Sequence, residues 1–197
     1  MNKKPAVTLV LLSVLGVFLF LNQWIIPEIS TLEDVIVTDY EGQDFALCNE
    51  ILPDQMKKAP RIDGATYQLE VTGLVEEPKN YTYGQVIKGF SNYEKLVTLD
   101  AVDEWNSTIS WRGVLLKDLI QESKPLDNGT LISVYSADGK ITTFSKDYIE
   151  DKNILLAYQL DNVTLSRERG FPFQLVAESK IGDQWLRWVI RIEISAP

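Results

Sequence analysis

The side chains that most often carry out chemistry in proteins are sparse in this sequence. It contains no histidine and only one cysteine, Cys48. Without histidine, the chain has no Ser-His-Asp or Cys-His site and no imidazole ligand for a metal. One thiol cannot form an internal disulfide, a haem-attachment motif or a thiolate zinc site. We therefore expect no haem, no zinc and no iron–sulfur cluster, and Cys48 is interpreted as an unpaired buried thiol.

Acidic side chains are the remaining candidates for catalysis. Asp103 and Glu104 are adjacent and could serve as the paired acids of a hydrolase. Such pairs are too frequent in proteins to identify a catalytic site, so the sequence indicates no catalytic residue and no metal ligand. The formal net charge of −9 argues against nucleic acid as a partner, because binding to nucleic acid requires a basic face.

The N-terminal segment has the features of a membrane anchor. The apolar run over residues 6–26 has the length that spans a bilayer. Lys3 and Lys4 precede the run and Glu28 follows it, which places residues 1–5 in the cytoplasm and the remainder outside. No small-x-small cleavage site follows, so a signal anchor is favoured over a cleaved signal peptide. The prediction is a single-pass protein of the cell membrane with an extracytoplasmic C-terminal domain.

Four positions match the N-glycosylation acceptor pattern, an asparagine followed two residues later by serine or threonine. The acceptor asparagines are Asn80, Asn106, Asn128 and Asn162, and all lie beyond the apolar run. They are interpreted either as glycan acceptors or as unmodified polar turns.

The rest of the chain divides into a linker and one compact domain. Residues 27–62 show little periodicity and are interpreted as the linker, and residues 63–197 as the domain. Helical spacing of apolar residues predicts helices over residues 83–90 and 114–120. Apolar or alternating runs predict strands over residues 67–71, 96–99, 131–135, 141–144, 154–158, 175–176, 185–190 and 191–194. Because short helices are set among many strands, the order favours an α+β domain over a doubly wound sheet.

Seven segments of the domain, taken in order, resemble the oxidoreductase molybdopterin-binding domain of the sulfite oxidase superfamily. They are Tyr67-Gln-Leu-Glu-Val-Thr-Gly-Leu-Val75 with Pro78, Val97-Thr-Leu-Asp-Ala-Val-Asp-Glu-Trp105, Trp111-Arg-Gly-Val-Leu-Leu116, Ser136-Ala-Asp-Gly139, Leu155-Leu-Ala-Tyr158, Arg169-Gly-Phe-Pro-Phe-Gln-Leu-Val176 and Gly182-Asp-Gln-Trp-Leu-Arg-Trp188. The resemblance implies a mixed-sheet domain of the sulfite oxidase type with short helices, here preceded by the transmembrane helix. It also implies molybdopterin as the cofactor.

The resemblance places the family's metal ligand at a residue that cannot serve as one. In the family a cysteine thiolate completes the coordination of the cofactor's metal, and soft sulfur suits that metal. The matching position is Ala101, whose methyl group cannot bind a metal, and Cys48 lies outside the matching segments. Asp103 shares the face of Ala101 in an extended chain and offers a carboxylate as an alternative ligand. The resemblance therefore implies a domain whose redox activity is lost or altered.

The resemblance also implies a set of cofactor-binding positions, several of which depart from the family. The family's phosphate-binding arginine is Gln174 here, which keeps hydrogen bonding but loses charge and bidentate geometry. Of two family lysines, the first is Gln184 and the second is Arg187. With Arg169 and Lys180 nearby in the sequence, an anion pocket of Arg169, Lys180 and Arg187 is predicted. The predicted cofactor-binding residues are Ala101, Ser136, Arg169, Gln174, Lys180, Gln184 and Arg187.

Three functions remain open from the sequence. The first is a membrane-anchored oxidoreductase-type domain in which the metal is held by the cofactor's dithiolene alone or by a non-sulfur ligand. The second is a cofactor-free binding or interaction module on the same fold, motivated by the changes at Ala101, Gln174 and Gln184. The third is a structural cell-surface domain that carries glycans. The sequence names no substrate and no partner protein; the membrane and molybdopterin are the partners that it indicates.

Overall fold

The computed structural model describes residues 30–31, 35–37, 59–99, 107–177 and 185–197. Several predictions therefore lie outside the described residues: the membrane segment 6–26, Cys48, Ala101, Asp103, the Asn106 acceptor, Lys180 and Gln184. Within the described ranges, no helix combines the length and the apolar character that crossing a membrane requires.

Twelve strands and three short helices are present in these ranges. The strands are β1 (Ser30–Thr31), β2 (Val35–Val37), β3 (Gln68–Gly73), β4 (Lys79–Thr82), β5 (Tyr93–Leu99), β6 (Ser107–Leu115), β7 (Leu131–Ser136), β8 (Ile141–Ser145), β9 (Leu155–Leu160), β10 (Val163–Thr164), β11 (Gln174–Val176) and β12 (Val189–Ser195). The helices are α1 (Tyr83–Gly89), α2 (Leu116–Glu122) and α3 (Lys146–Asp151).

The first sheet is built on the antiparallel pairs β5–β6 and β6–β9. Strands β1 and β2, which lie in the segment predicted as a linker, pair with β5 in parallel. Strands β10 and β11 pair with β9 in antiparallel fashion. Gly113 in β6 permits the β6–β9 pairing, because a Cβ there would lie 2.3 Å from the carbonyl oxygen of Leu156.

The second sheet has the strand order β4-β3-β12-β7-β8. Only the β3–β12 pair is parallel, so both sheets are mixed. Alternate residues of β3, β7 and β12 are fully buried, as expected for strands with one face on the core. They belong to the same hydrophobic cluster as the buried residues of β9, so the core joins the two sheets. Its central members include Leu69, Val71, Ile132, Val134, Ile192, Leu155 and Leu156.

The helices begin at side-chain caps where the sequence provides them. Thr82 caps α1: its hydroxyl accepts a hydrogen bond from the Gln85 amide (3.3 Å), and the Gln85 side chain accepts one from the Thr82 amide (2.8 Å). This reciprocal arrangement satisfies two amides that a helix start leaves without partners. The Ser145 hydroxyl caps α3 by accepting from the Tyr148 amide at 3.2 Å.

A charged cluster joins the loop after β3 to the end of α2. The Glu77 carboxylate accepts hydrogen bonds from Lys124 and from Lys79, the latter at 2.6 Å. These two bonds, with the charge of Lys124 and then of Lys79, lower the pKa of Glu77 to about 2. The Glu77 amide also donates to the Ser123 carbonyl at 3.1 Å, so backbone and side chain hold the same junction.

The α+β class with mixed sheets and few short helices is confirmed, while two element boundaries were wrong. Val114 and Leu115 were assigned to a helix but belong to β6, and the helix begins at Leu116. The strand predicted over residues 185–190 begins only at Val189, because Trp188 has a left-handed φ of 56° that interrupts an extended chain. At both boundaries apolar residues lie on either side of the change in backbone conformation, so the apolar pattern gives no signal for it.

Candidate functional site

Two chain segments, residues 167–175 and 185–189, run side by side and hold three of the predicted site residues. Backbone hydrogen bonds join them from Leu175 to Leu186 (2.7 Å), from Val189 to Phe173 (3.1 Å) and from Trp188 to Gly170 (3.3 Å). The first segment enters β11 of the first sheet, and the second enters β12 of the second sheet. The candidate site therefore lies where the two sheets are connected.

Gly170 brings the two segments into close contact. Its φ is 101°, a conformation that L side chains rarely adopt. A Cβ at this position would lie 3.1 Å from the Cβ of Arg187 and 3.3 Å from its Cα. Both the backbone conformation and the space therefore favour glycine. The Phe171–Pro172 peptide bond that follows is cis.

Arg187 is a buried cation, with 8% of its surface exposed. Its Nη1 donates to the carbonyl oxygen of Glu168 at 3.4 Å, and its own carbonyl accepts from the Ser136 hydroxyl at 2.5 Å. Burying a guanidinium is costly unless hydrogen bonds or an opposite charge compensate. Ser136 thus holds the backbone that carries Arg187, and the Arg187 guanidinium faces the segment of Glu168.

Trp188 is held in a strained conformation next to this cation. Its indole Nε1 donates to the carbonyl oxygen of Arg167 at 2.6 Å, and its own carbonyl accepts from the Ala137 amide at 2.9 Å. A left-handed φ in a bulky residue persists only where the surrounding contacts impose it. These two hydrogen bonds hold Trp188, the neighbour of Arg187, between Ala137 at the end of β7 and the backbone of Arg167.

The other predicted residues lie on the opposite segment. Gln174 is buried, with 2% exposed, and pairs with β9 through β11, whereas Arg169 is partly exposed beside Gly170. The carboxylate of Glu168 is 2.9 Å from Arg167. Hydrogen bonding by its own backbone amide and then by Arg167 lowers the pKa of Glu168. Three arginines against one glutamate leave the described part of these segments cationic.

An additional buried donor lies beside the second segment. The Trp111 ring, 1% exposed, meets the Trp185 ring edge-on with centroids 5.9 Å apart. Among the described residues, no acceptor reaches the Trp111 Nε1. A buried donor without a partner is costly and is often found where a ligand binds. Cations and a spare donor suit an anionic, acceptor-rich group such as the phosphate of a pterin cofactor.

Sequence reasoning did not assign a polar cluster on strands β6 and β9 of the first sheet. The Tyr158 hydroxyl donates to Asn92 Oδ1 at 2.8 Å, and Arg112 Nη1 donates to Gln159 Oε1 at 3.3 Å. Burial raises the pKa of Tyr158, an effect that the charge of Arg112 partly offsets. Tyr158 and Arg112 lie in segments that carry the family resemblance, which is the signal that could have found them; Asn92 has none.

A surface groove between α1 and α2 is separate from these residues. Its lining includes Tyr81, Lys88, Asp118 and Glu122. Burial raises the pKa of Asp118, although Lys117 acts in the opposite direction. None of the predicted cofactor-binding residues lines this groove, so it is not the candidate site.

Of the predicted cofactor-binding residues, Ser136 hydrogen-bonds to Arg187, and Arg169 and Gln174 lie on the segment that is hydrogen-bonded to the segment of Arg187. Ala101, Lys180 and Gln184 lie outside the described residues, as noted above. The geometry defines a mixed-sheet domain with a cationic, hydrogen-bond-donating turn at the junction of its sheets.

Comparison with known proteins identifies the family of this domain. The model of the oxidoreductase molybdopterin binding domain matches residues 56–197, so the chain belongs to that family. The match covers the segments from which the resemblance was inferred, and the family prediction is confirmed.

Relatives by sequence include nitrate reductases that are far longer than this chain. The NAD(P)H nitrate reductase of Hordeum vulgare is 25% identical over 167 residues, covering 69% of this chain and 19% of the relative. The NADH nitrate reductase 1 of Oryza sativa subsp. japonica is 26% identical over 168 residues, covering 69% of this chain and 18% of the relative. The chain thus corresponds to less than a fifth of the length of each.

Among solved structures, the sulfane dehydrogenase SoxCD of Paracoccus pantotrophus is similar with a TM-score of 0.61. The two chains are 22% identical, and the similarity covers 69% of this chain and 40% of the other. At this identity the similarity concerns the fold alone. It supports the mixed-sheet molybdopterin-binding architecture.

Proposed function

We propose that the protein is a single-pass, membrane-anchored component of the cell envelope. Its extracytoplasmic domain would bind a molybdopterin-type cofactor without a protein thiolate, so that redox activity is lost or altered. The observation that carries the cofactor part is the turn at Gly170, where partly exposed Arg169 precedes a glycine that packs directly on buried Arg187, so that two cations lie at the junction of the two segments. The names of the related proteins, nitrate reductases and a sulfane dehydrogenase, support an oxidoreductase origin for the domain.

The residues of this chain match the cofactor in part. Arg169, Arg187 and the indole of Trp111 would hold its phosphate and other acceptor atoms, and buried Gln174 would add a neutral hydrogen-bonding group. When bound, a molybdopterin cofactor supplies a metal centre that exchanges electrons with a substrate. The chain offers no thiolate at Ala101 to complete that centre. The phosphate-binding function and the metal-ligating function therefore separate in this chain.

The second candidate function is a cofactor-free binding module on the same fold. The observation that favours it is the hydrogen bond from Arg187 to the Glu168 carbonyl, which satisfies part of the buried guanidinium without a ligand. In this case hydrogen bonds within the chain would satisfy the buried polar groups of the site without a ligand. Replacement of the family's arginine by Gln174 would then remove no binding function.

Metal and pterin content distinguish the two candidates. Protein purified from its native host should be analysed for molybdenum and tungsten, and any pterin released by oxidation measured by its fluorescence. We expect pterin, with metal at or below one equivalent. A preparation that contains neither would refute the cofactor-binding proposal and leave the cofactor-free module.

Two variants at position 101 isolate the contribution of a thiolate. Ala101→Cys, produced together with the cofactor pathway, should retain more metal than the wild type. Ala101→Ser has nearly the same size but no soft sulfur ligand, so it should not. Equal metal content in the two variants would contradict the assignment of this position as the ligand site.

The proposed location has an independent test. The apolar residues 6–26 should direct the protein to the membrane fraction, and deletion of residues 1–26 should release it. Protease is added to intact cells, from which any cell wall or outer membrane has first been removed so that it reaches the cytoplasmic membrane. It should digest the domain while a cytoplasmic control protein survives. A protected domain would refute an extracytoplasmic location.

A further inference from the structure

Three of the four glycosylation acceptor motifs lie in described residues and differ in local structure. Asn162 is the second residue of the two-residue turn between β9 and β10, in which Asp161 and Asn162 have left-handed φ values of 47° and 63°. Asn128 lies in the turn before β7, which is closed by a hydrogen bond from Gly129 to Leu126 (2.9 Å). Asn80 lies within β4, where it pairs with Glu70. All three asparagines are exposed.

We propose that Asn128 and Asn162 are N-glycosylated in the mature protein and that Asn80 is not. The proposal rests on the extracytoplasmic location proposed above. It is carried by two independent features of these turns, the accessibility of the motif's threonine and the exposed apolar residue beside each acceptor.

The three motifs differ in whether the hydroxyl of their threonine is free to be recognised by a transferase. Thr130 and Thr164 are exposed, and their hydroxyls make no hydrogen bond within the described part of the chain. The Thr82 hydroxyl of the Asn80 motif instead accepts from the Gln85 amide and donates to Gln85 Oε1 at 3.0 Å. An enzyme that recognises this hydroxyl would have to break the cap of α1. The folded protein therefore presents two usable motifs and one blocked motif.

Two of the three large hydrophobic residues that are exposed in the described structure lie beside the same two turns. Large hydrophobic side chains that are exposed in the described structure are Leu126 at 37%, Ile141 at 56% and Val163 at 69%. Leu126 is two residues from Asn128, and Val163 directly follows Asn162. Val163 also lies in β10, the end of the strand path through the first sheet. A glycan there would shield both the apolar side chain and an open strand edge from pairing with another chain.

The modification is a simple group transfer. The asparagine amide nitrogen attacks the anomeric carbon of an oligosaccharide carried on a lipid phosphate or diphosphate. The bond between that carbon and the phosphate oxygen breaks, the lipid phosphate departs, and the amide loses one proton to a base of the transferring enzyme. No oxidation or reduction takes place. The exposed turns supply the acceptor, the lipid-linked oligosaccharide is the sugar donor, and a transferase of the cell envelope catalyses the transfer.

Mass spectrometry of peptides from the full-length protein of the native host tests the proposal. We expect glycopeptides at Asn128 and Asn162 and an unmodified peptide at Asn80. Thr164→Val and Thr130→Val keep the shape of the side chain and should each abolish modification at their site, whereas Thr164→Ser and Thr130→Ser should retain it. Bare peptides at both turns, or sugar at Asn80, would overturn the proposal, and a bare peptide at one turn overturns it for that turn.

The protease experiment on cells separates this proposal from the proposed location. If added protease removes the domain and both turns are bare, glycosylation is refuted while the location stands. If the domain is protected and the turns are bare, both proposals fail. Loss of the glycan at Asn162 in Thr164→Val should also increase self-association in analytical ultracentrifugation, and adding Val163→Thr to that variant should reverse the increase.

Discussion

Replacing Gly170 by alanine tests whether the candidate site depends on close contact between its two segments. The added Cβ meets two separate penalties. A φ of 101° is unfavourable for an L residue and costs about 1–3 kcal/mol. Contact at 3.1 Å with the Cβ of buried Arg187 adds about 1–3 kcal/mol, because a filled interior can relax only by moving neighbouring atoms.

Gly139 provides a matched control for the first penalty. It also has a left-handed φ, 88°, but a Cβ there would meet nothing within 4 Å. Gly139→Ala should therefore lose about 2 kcal/mol, from strain alone. Gly170→Ala should lose about 4 kcal/mol, the sum of strain and crowding. At about 2–4 °C per kcal/mol for a chain of this size, the midpoints should fall by about 4–8 °C and 8–16 °C.

Urea unfolding followed by tryptophan fluorescence measures both losses, with thermal unfolding as a check. The dependence of the unfolding free energy on urea should be unchanged, since neither substitution alters the surface exposed on unfolding. Equal losses in the two variants would refute the reasoning. They would mean that the Arg187 side chain moves aside freely and that the segments are not closely packed.

Three further predictions concern the frame around the site. Gly113→Ala should destabilise the domain by about 3 kcal/mol or more in the same assay, because its Cβ would overlap the backbone of the neighbouring strand. Tyr67→Phe should lose about 1–2 kcal/mol, because the Tyr67 hydroxyl is buried and donates to the Val189 carbonyl at 2.6 Å; no loss would show that water satisfies that carbonyl. The pKa of Glu77, lowered from 4.5 to about 2 by hydrogen bonds from two lysines, gives stability that is present above pH 4.5 and lost as the pH falls toward 2. Glu77→Gln should remove that part of the pH dependence of unfolding, and an unchanged acid limb would contradict the assignment.

How far the sequence predicts the fold depends on the kind of signal each element carries. The strand at residues 67–71 alternates buried and exposed residues, and β3 forms there because that alternation matches one face of a sheet. Helix α1 follows a capping residue and lies within one residue of its prediction. The start of α2 has no side-chain cap, and the apolar run from Val114 continues through it. A boundary without a local chemical signal is therefore set by pairing with β9, which only the folded chain reveals.

In the candidate site, too, some residues could be predicted from the sequence and others are revealed only by the fold. The family segments identified Arg169, Gln174 and Arg187, which lie on two segments that are hydrogen-bonded to each other, residues 167–175 and 185–189. Nothing local indicates that Asn92 accepts from Tyr158, because the two are 66 positions apart and meet through the pairing of three strands. The left-handed backbone at Trp188 is equally invisible, since it arises from hydrogen bonds to distant carbonyl and amide groups.

The proposed separation of phosphate binding from metal ligation agrees with the positions of these residues in the chain. The position of the family thiolate, Ala101, lies between β5 and β6 in the sequence, whereas Arg169 and Arg187 come from the segments that enter β11 and β12. Arg187 is held by its contact with Gly170 and by the hydrogen bond from Ser136 of β7. Those contacts are made by residues other than Ala101. The proposed loss of metal-centred chemistry is therefore compatible with the proposed anion site, and metal and pterin must be measured separately because one can be absent while the other is bound.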